Sequence, residues 1–364
     1  MNVTRIKIDQ SMFSETEKDF LIKNHFHISF FKYSTGVCAI RIKNDKLNVI
    51  LLPFHGQQIW RLSSRNRALT MKSIFDEPQD TNQFGLNYGG FLIHCGLTAN
   101  GNPSENDDHP LHGELPNCKY KEAYISIGVD KGREYISISG CYTFRNSLEY
   151  YYCFEPEMIL YENSAIVEMK IKATNYRAKP MKYMYMAHIN WLPVDGSRLV
   201  HSASRKTIQV FNDTFGLPTG SQKAFADYIA KVENDPSITD SINASNQVYD
   251  PEFCMYANYL SDEYGYAHAM QVYPEGDASY VSFDTHELPN AVRWFARTGD
   301  EDAVAFAIPS TNNHLGYSRN DEKGLIREIP AKDTICLHFK FGVLTQQEAK
   351  QIEQNILKIS KQNE

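Results

Sequence analysis

From about residue 25 onward, apolar and polar side chains alternate with a period of two. In SAIVEMKIKATNY, Val167, Met169 and Ile171 fall on one side, and Glu168, Lys170 and Lys172 on the other. In TICLHFKFGVL, Ile335, Leu337, Phe339 and Phe341 share a face. EYISISGCYTF and KLNVILLPF repeat the pattern. This spacing predicts half-buried β-strands. Turn residues separate the runs: Lys131-Gly132, Asp195-Gly196, Pro274-Glu275-Gly276 and Thr298-Gly299-Asp300. Helical spacing is scarce. The tail TQQEAKQIEQNILKISK pairs Thr345 with Glu348 as a capping box and carries an Ile352, Ile356, Ile359 stripe, which predicts a closing helix over 345–361. SETEKDFLIK, residues 14–23, predicts a short helix in a polar N-terminal extension, 1–24. Residues 219–247 predict one helix and then a polar loop. The expectation is a single all-β domain over 25–364, built of large antiparallel sheets and closed by the C-terminal helix.

Composition narrows the function. The net charge of −7 lacks the basic footprint of a nucleic-acid binder. Aromatics reach 12%, which favours strands and flat ligand surfaces such as those that hold sugar rings. There are seven cysteines and no C-x-x-C pair. That argues against a disulfide framework or a cysteine zinc site and predicts a reducing, cytoplasmic compartment. The first residues lack the apolar stretch of a secretory signal, and no apolar run approaches the ~18 residues of a membrane span.

Four segments are richer than structure alone requires. FGLNYGGFLIHCGLTANGNP, residues 84–103, carries closely spaced glycines. DDHPLHGELPN, residues 107–117, sets His112 and Gly113 between two prolines, which stiffen the loop. In YMYMAHINWLPVDGSRL, residues 183–199, alternation places Met184, Met186, His188 and Asn190 on one face. The fourth segment runs from Ser282 to Arg319.

These residues carry a resemblance. GGFLIHCGL (89–97), LHG (111–113), MAHINWLP (186–193), FDTHELPNAVRW (283–294) and AIPSTN (307–312) occur in the order seen in the aldose 1-epimerase (galactose mutarotase-like) superfamily. The chain resembles its uncharacterised aldose-epimerase-like branch over residues 50–344. The resemblance implies a β-supersandwich, a monosaccharide or related carbohydrate as partner, and acid–base ring opening. It implies no metal or cofactor. Two histidines would act at the ring oxygen, and His112 and His188 match them. A glutamate in a Glu-Pro step would be the base, but here that step is Ile308-Pro309. An isoleucine cannot accept a proton.

Three readings stay open: a base from elsewhere, with Glu114, Asp284 and Glu287 as the motif carboxylates; a different isomerisation; or sugar binding without turnover. Asn190, Trp191 and Trp294 are expected against the substrate. The family's arginine before the first histidine is missing from LNYGG, which leaves Asn87 or Arg65 to supply a polar contact. His94, His109, His112 and Glu114 leave a metal-site alternative open, on no known ligand spacing. Homodimerisation is left open.

Overall fold

The structure is a computed structural model that describes residues 3–65, 67–211, 222–243 and 252–363. Among these residues the strands form two antiparallel sheets, of nine and thirteen strands. The alternating runs pair as their patterns demand. Ile166–Asn175 lies beside Thr334–Leu344, with Val167 opposite Phe341, Met169 opposite Phe339 and Ile171 opposite Leu337. All six are buried, and Lys170 and Lys172 between them face solvent. Full burial of each such side chain contributes about 1.5–3 kcal/mol. The main apolar cluster joins this face to Ile40, Ile42, Val49 and Leu92 of the thirteen-stranded sheet.

The thirteen-stranded sheet is covered on both faces. Its second face holds a separate cluster that includes Met71, Ile93, Cys95, Met186, Val292, Trp294 and Ile308. This explains why Met181–Ile189 and Leu92–Leu97 are apolar almost throughout: successive side chains face different cores, until Leu97 rejoins the main cluster. Residues of odd and even number in these strands therefore have different fates, which decides the placement of the site.

The expected helix over 14–23 is instead a strand, Lys18–Lys23, paired with Phe26–Lys32 at one edge of the larger sheet. A register shift between Asp19 and Leu21 and the stacking of Phe20 on Phe30, centroids 4.4 Å apart, override the local helical preference. Thr4–Ile8 pairs with Glu122–Asp130 at the edge of the other sheet, so these residues are woven into both sheets. The helix expected within 219–247 is Gln222–Asn234; residues 219–221 and 244–247 lie outside the described set. The closing helix, Gln346–Asn363, begins with the expected box: Thr345 Oγ1 donates to Glu348 Oε2 at 2.7 Å. No helix among the described residues is long and apolar enough to cross a membrane.

Candidate functional site

His188 is on strand Met181–Ile189 and faces the second core with Met184 and Met186. Asn190 continues that face and fixes the ring. Its Nδ2 donates to the Gly90 carbonyl at 3.0 Å, so its Oδ1 must accept, and His188 Nδ1 lies 2.7 Å from that oxygen. The proton is therefore on Nδ1, and Nε2 is left as an acceptor.

His112 arrives from a loop. Its φ of +59° is an uncommon conformation for a residue with a side chain. Such a backbone costs roughly 1–3 kcal/mol and persists where surrounding structure holds it. Here the His112 amide donates to Gly101 O at 3.0 Å, and the Gly96 amide donates to His112 O at 2.9 Å. Gly113 has φ +80°, and a Cβ there would collide with the carbonyls of Ala99 and Gly96. The Pro-His-Gly stretch thus delivers one imidazole at a fixed place. His112 Nδ1 is 3.3 Å from Asn100 Oδ1. The Asn100 Nδ2 is buried without a partner among the described residues, so none of them pins this amide, and His112 is free to take either tautomer.

The two imidazoles, 76 positions apart in sequence, meet with centroids 5.4 Å apart and planes at 86°. Phe84 covers His112 at 4.6 Å. Tyr88 and Trp294 flank His188 at 5.7 and 5.6 Å. Met186, Val292 and Ile308 belong to the apolar cluster below, against which Phe84 and Tyr88 pack. The imidazoles are 9% and 5% exposed. Burial pushes His188 down to about 4, and burial together with the facing His188 holds His112 well below the usual imidazole range. Both rings are neutral near pH 7.

The other expected residues divide. Trp294 and Asn190 join the cluster, Asn190 as the group that orients His188. Trp191 does not join it. One residue beyond Asn190, it faces the inter-sheet core, fully buried, stacked on Phe306 at 5.5 Å with its edge against Phe91. Asn87 also lies apart, in a buried polar network with His55 and Asn117. Arg65 is exposed at a turn. Glu114 is next to His112 in sequence but points away. Its carboxylate accepts from Leu97 N, Thr98 N, Thr98 Oγ1 and Tyr152 OH, leaving it as an anchor between loop and sheet. Asp284 ends a strand of the nine-stranded sheet and binds the backbone and ring of His286. Glu287 bonds to His338. Neither Glu114 nor Asp284 hydrogen-bonds to either imidazole, because each is already engaged elsewhere.

His94, on the odd-even alternation, points between the sheets to Tyr185 OH at 2.7 Å. With His109, His112 and Glu114 it forms no ligand set among the described residues.

Sequence reasoning passed over four contributors. Phe84 and Tyr88 come from a turn-rich loop. His314 sits close enough to depress both imidazoles electrostatically. Glu252 accepts from Trp294 Nε1 at 2.7 Å, and its charge bears on Tyr88. Phe84, Tyr88 and His314 fall inside two of the four segments singled out in the sequence, but outside the matched motifs, so the folded arrangement is what assigns them to the cluster.

The two large antiparallel sheets define the class: a galactose mutarotase-like fold. The chain belongs to the family described as "Domain of unknown function (DUF4432)", whose signature matches residues 34–343. A "putative aldose 1-epimerase" from Klebsiella pneumoniae superposes with a TM-score of 0.81 at 17% identity, over 99% of this chain and 96% of that one. A galactose mutarotase-like protein from Clostridium acetobutylicum gives 0.57 at 15% identity, over 88% and 99%. A galactose mutarotase related enzyme from Lactobacillus acidophilus gives 0.53 at 13%, over 85% and 98%. No curated protein matches the sequence.

Proposed function

We propose that the His112–His188 site binds a monosaccharide and catalyses exchange at its anomeric centre. The observation that carries this reading is the pair of neutral imidazoles, walled by aromatic rings, with one unprotonated Nε2 whose tautomer is fixed by Asn190. Mutarotation moves one proton from the anomeric hydroxyl to the ring oxygen while the ring C–O bond breaks. Both oxygens are bonded to C1. One imidazole therefore suffices as shuttle: His188 Nε2 takes the proton from the hydroxyl and returns it to the ring oxygen. His112, in its Nε2–H tautomer, hydrogen-bonds the ring oxygen as charge develops. Such acid–base assistance contributes about 10²–10⁴-fold. Phe84 and Trp294 offer flat faces to the sugar's C–H surface. Phe84 is partly exposed on its loop, at the outer side of the cluster.

The loss of the family carboxylate supports this use of histidine. Ile308 is fully buried in the apolar cluster beneath the imidazoles, so this position supplies no base. Glu252 brings a carboxylate to the edge of the cluster, where it accepts from Trp294 Nε1. Ile308 also favours a second reading, sugar binding without turnover. The test is anomer exchange followed by polarimetry on several aldoses, with thermal stabilisation by the same sugars. Accelerated exchange lost in both His112→Gln and His188→Gln supports catalysis. Stabilisation without exchange supports the second reading. Neither effect with any aldose sinks both.

A further inference from the structure

The outward face of the nine-stranded sheet gathers three metal-binding groups far from the imidazoles in the fold. Strands Arg133–Asn146 and Tyr150–Tyr161 pair with Ser139 opposite Glu157 and Tyr142 opposite Phe154. That register sets Cys141 across from Glu155. Cys153, two residues before Glu155, shares its face. The Cys141 and Cys153 sulfurs are 2.6 Å apart. Both sulfurs and a Glu155 carboxylate oxygen lie within 4.8 Å of one another. Glu155 makes no hydrogen bond or ion pair among the described residues, although Lys172 stands opposite it on the next strand. Cys141 and Glu155 open onto a groove of about 430 Å³.

We propose that Cys141, Cys153 and Glu155 bind a thiophilic divalent cation of the zinc class. Three groups that become anionic point at one place; Arg5, Lys170 and Lys172 line the same groove, but none forms an ion pair with Glu155 among the described residues. Their mutual repulsion opposes deprotonation, and a bound cation reverses it. Zinc accepts this donor set, with Zn–S near 2.3 Å and Zn–O near 2.0–2.2 Å. Tetrahedral geometry then needs the sulfurs roughly 3.8 Å apart, which side-chain rotation supplies, and the fourth position faces the groove. The spacing is C-x11-C-x-E, delivered by two antiparallel strands. The absence of C-x-x-C excludes a local knuckle, not a site assembled across a hairpin. The ion would clip this hairpin at its solvent face, binding the folded chain in preference to the unfolded one.

The experiment uses the full chain, reduced under anaerobic conditions, titrated with Zn²⁺ against a chromophoric chelator, with bound metal counted by elemental analysis. The expected result is one ion per chain. Affinity should fall by at least about 100-fold in Cys141→Ser and in Cys153→Ser, and less in Glu155→Gln. Cys336→Ser, which alters another thiol on the same groove, should bind like wild type. Circular dichroism of each metal-free variant checks its fold, and the sulfur-to-metal ultraviolet band with Cd²⁺ reports thiolate ligation independently. The proposal is overturned if wild type binds no zinc, if the serine variants bind as tightly as wild type, or if Cys336→Ser is the variant that loses the ion. It is equally overturned if the two cysteines are found as a form two hydrogens lighter and the protein still binds no zinc after full reduction.

Discussion

One short loop feeds two buried polar regions that behave differently. Asn87 enters a network around Asn117, whose Oδ1 accepts from His55 Nε2 at 3.0 Å, Gln58 Nε2 at 2.9 Å and Asn87 Nδ2 at 2.9 Å. Lys119 bonds the other nitrogen of His55 at 2.7 Å. Every nitrogen of that imidazole is occupied. Phe84 and Tyr88, from the same loop, cover His112 and His188, and there each imidazole has one amide partner and one nitrogen without a hydrogen bond among the described residues. Buried polar groups are ordinarily satisfied, because an unmet donor or acceptor costs about 1–3 kcal/mol. Gln58 Oε1 apart, which is buried with no partner among the described residues, the first region is close to saturated, as a fold needs to hold a loop. The unsaturated one retains hydrogen-bonding capacity for something that is not part of the chain.

Four measurements break or sharpen this contrast. The largest effect is expected from Ile308→Glu, which places a carboxyl among Met186, Ile93 and Val292. Chemical denaturation should show a loss of about 3–5 kcal/mol. Wild-type stability would mean this position is wet. Next, His188→Gln should lower anomer exchange roughly 10²-fold while stability moves by less than about 1 kcal/mol. If stability collapses instead, His188 belongs with His55 as a structural group.

Asn117→Ala is the mirror image. Three donors lose their acceptor, so stability should fall by about 2 kcal/mol, with sugar affinity of the folded protein unchanged. A selective loss of affinity would merge the two regions.

The smallest effect is the pH response. His55, His188 and His201 are all pushed down to about 4 by burial, from an ordinary 6.5. Below 6.5 the unfolded chain takes up protons that the folded chain refuses. Stability is therefore complete above about pH 6.5 and is lost as pH falls towards 4. Each group contributes roughly 1 kcal/mol of loss between about pH 7 and 5.5. Thermal melts across that range should show a shallower slope in His188→Gln. An unchanged slope would mean His188 is hydrated.

Much of this was legible in sequence because a strand's face repeats every two residues. The pairing of Val167, Met169 and Ile171 with Phe341, Phe339 and Leu337 follows from alternation alone. The face shared by Met186, His188 and Asn190 was legible too, and the same rule carries Trp191 to the opposite side. Its indole suggested a sugar platform by residue type, while its position already argued otherwise. Glu114 and Asp284 were illegible for another reason. A carboxylate's availability depends on which donors reach it, and those of Glu114 come from residues 97, 98 and 152. Lys18–Lys23 became a strand because its partner is a neighbouring chain segment, which no local periodicity records. Glu252 enters the cluster through an indole 42 positions away.

The opening segment has a consequence for handling the protein. Lys18, Asp19 and Lys23 give the larger sheet a charged outer border, and directly inside it runs FHISFFK. Trimming the chain at residue 24 would turn that greasy ribbon, with its unpaired amides and carbonyls, into a template for sticking to its own copies. The first two dozen residues are thus a guard rail, and shortened versions should clump where the intact chain stays dispersed.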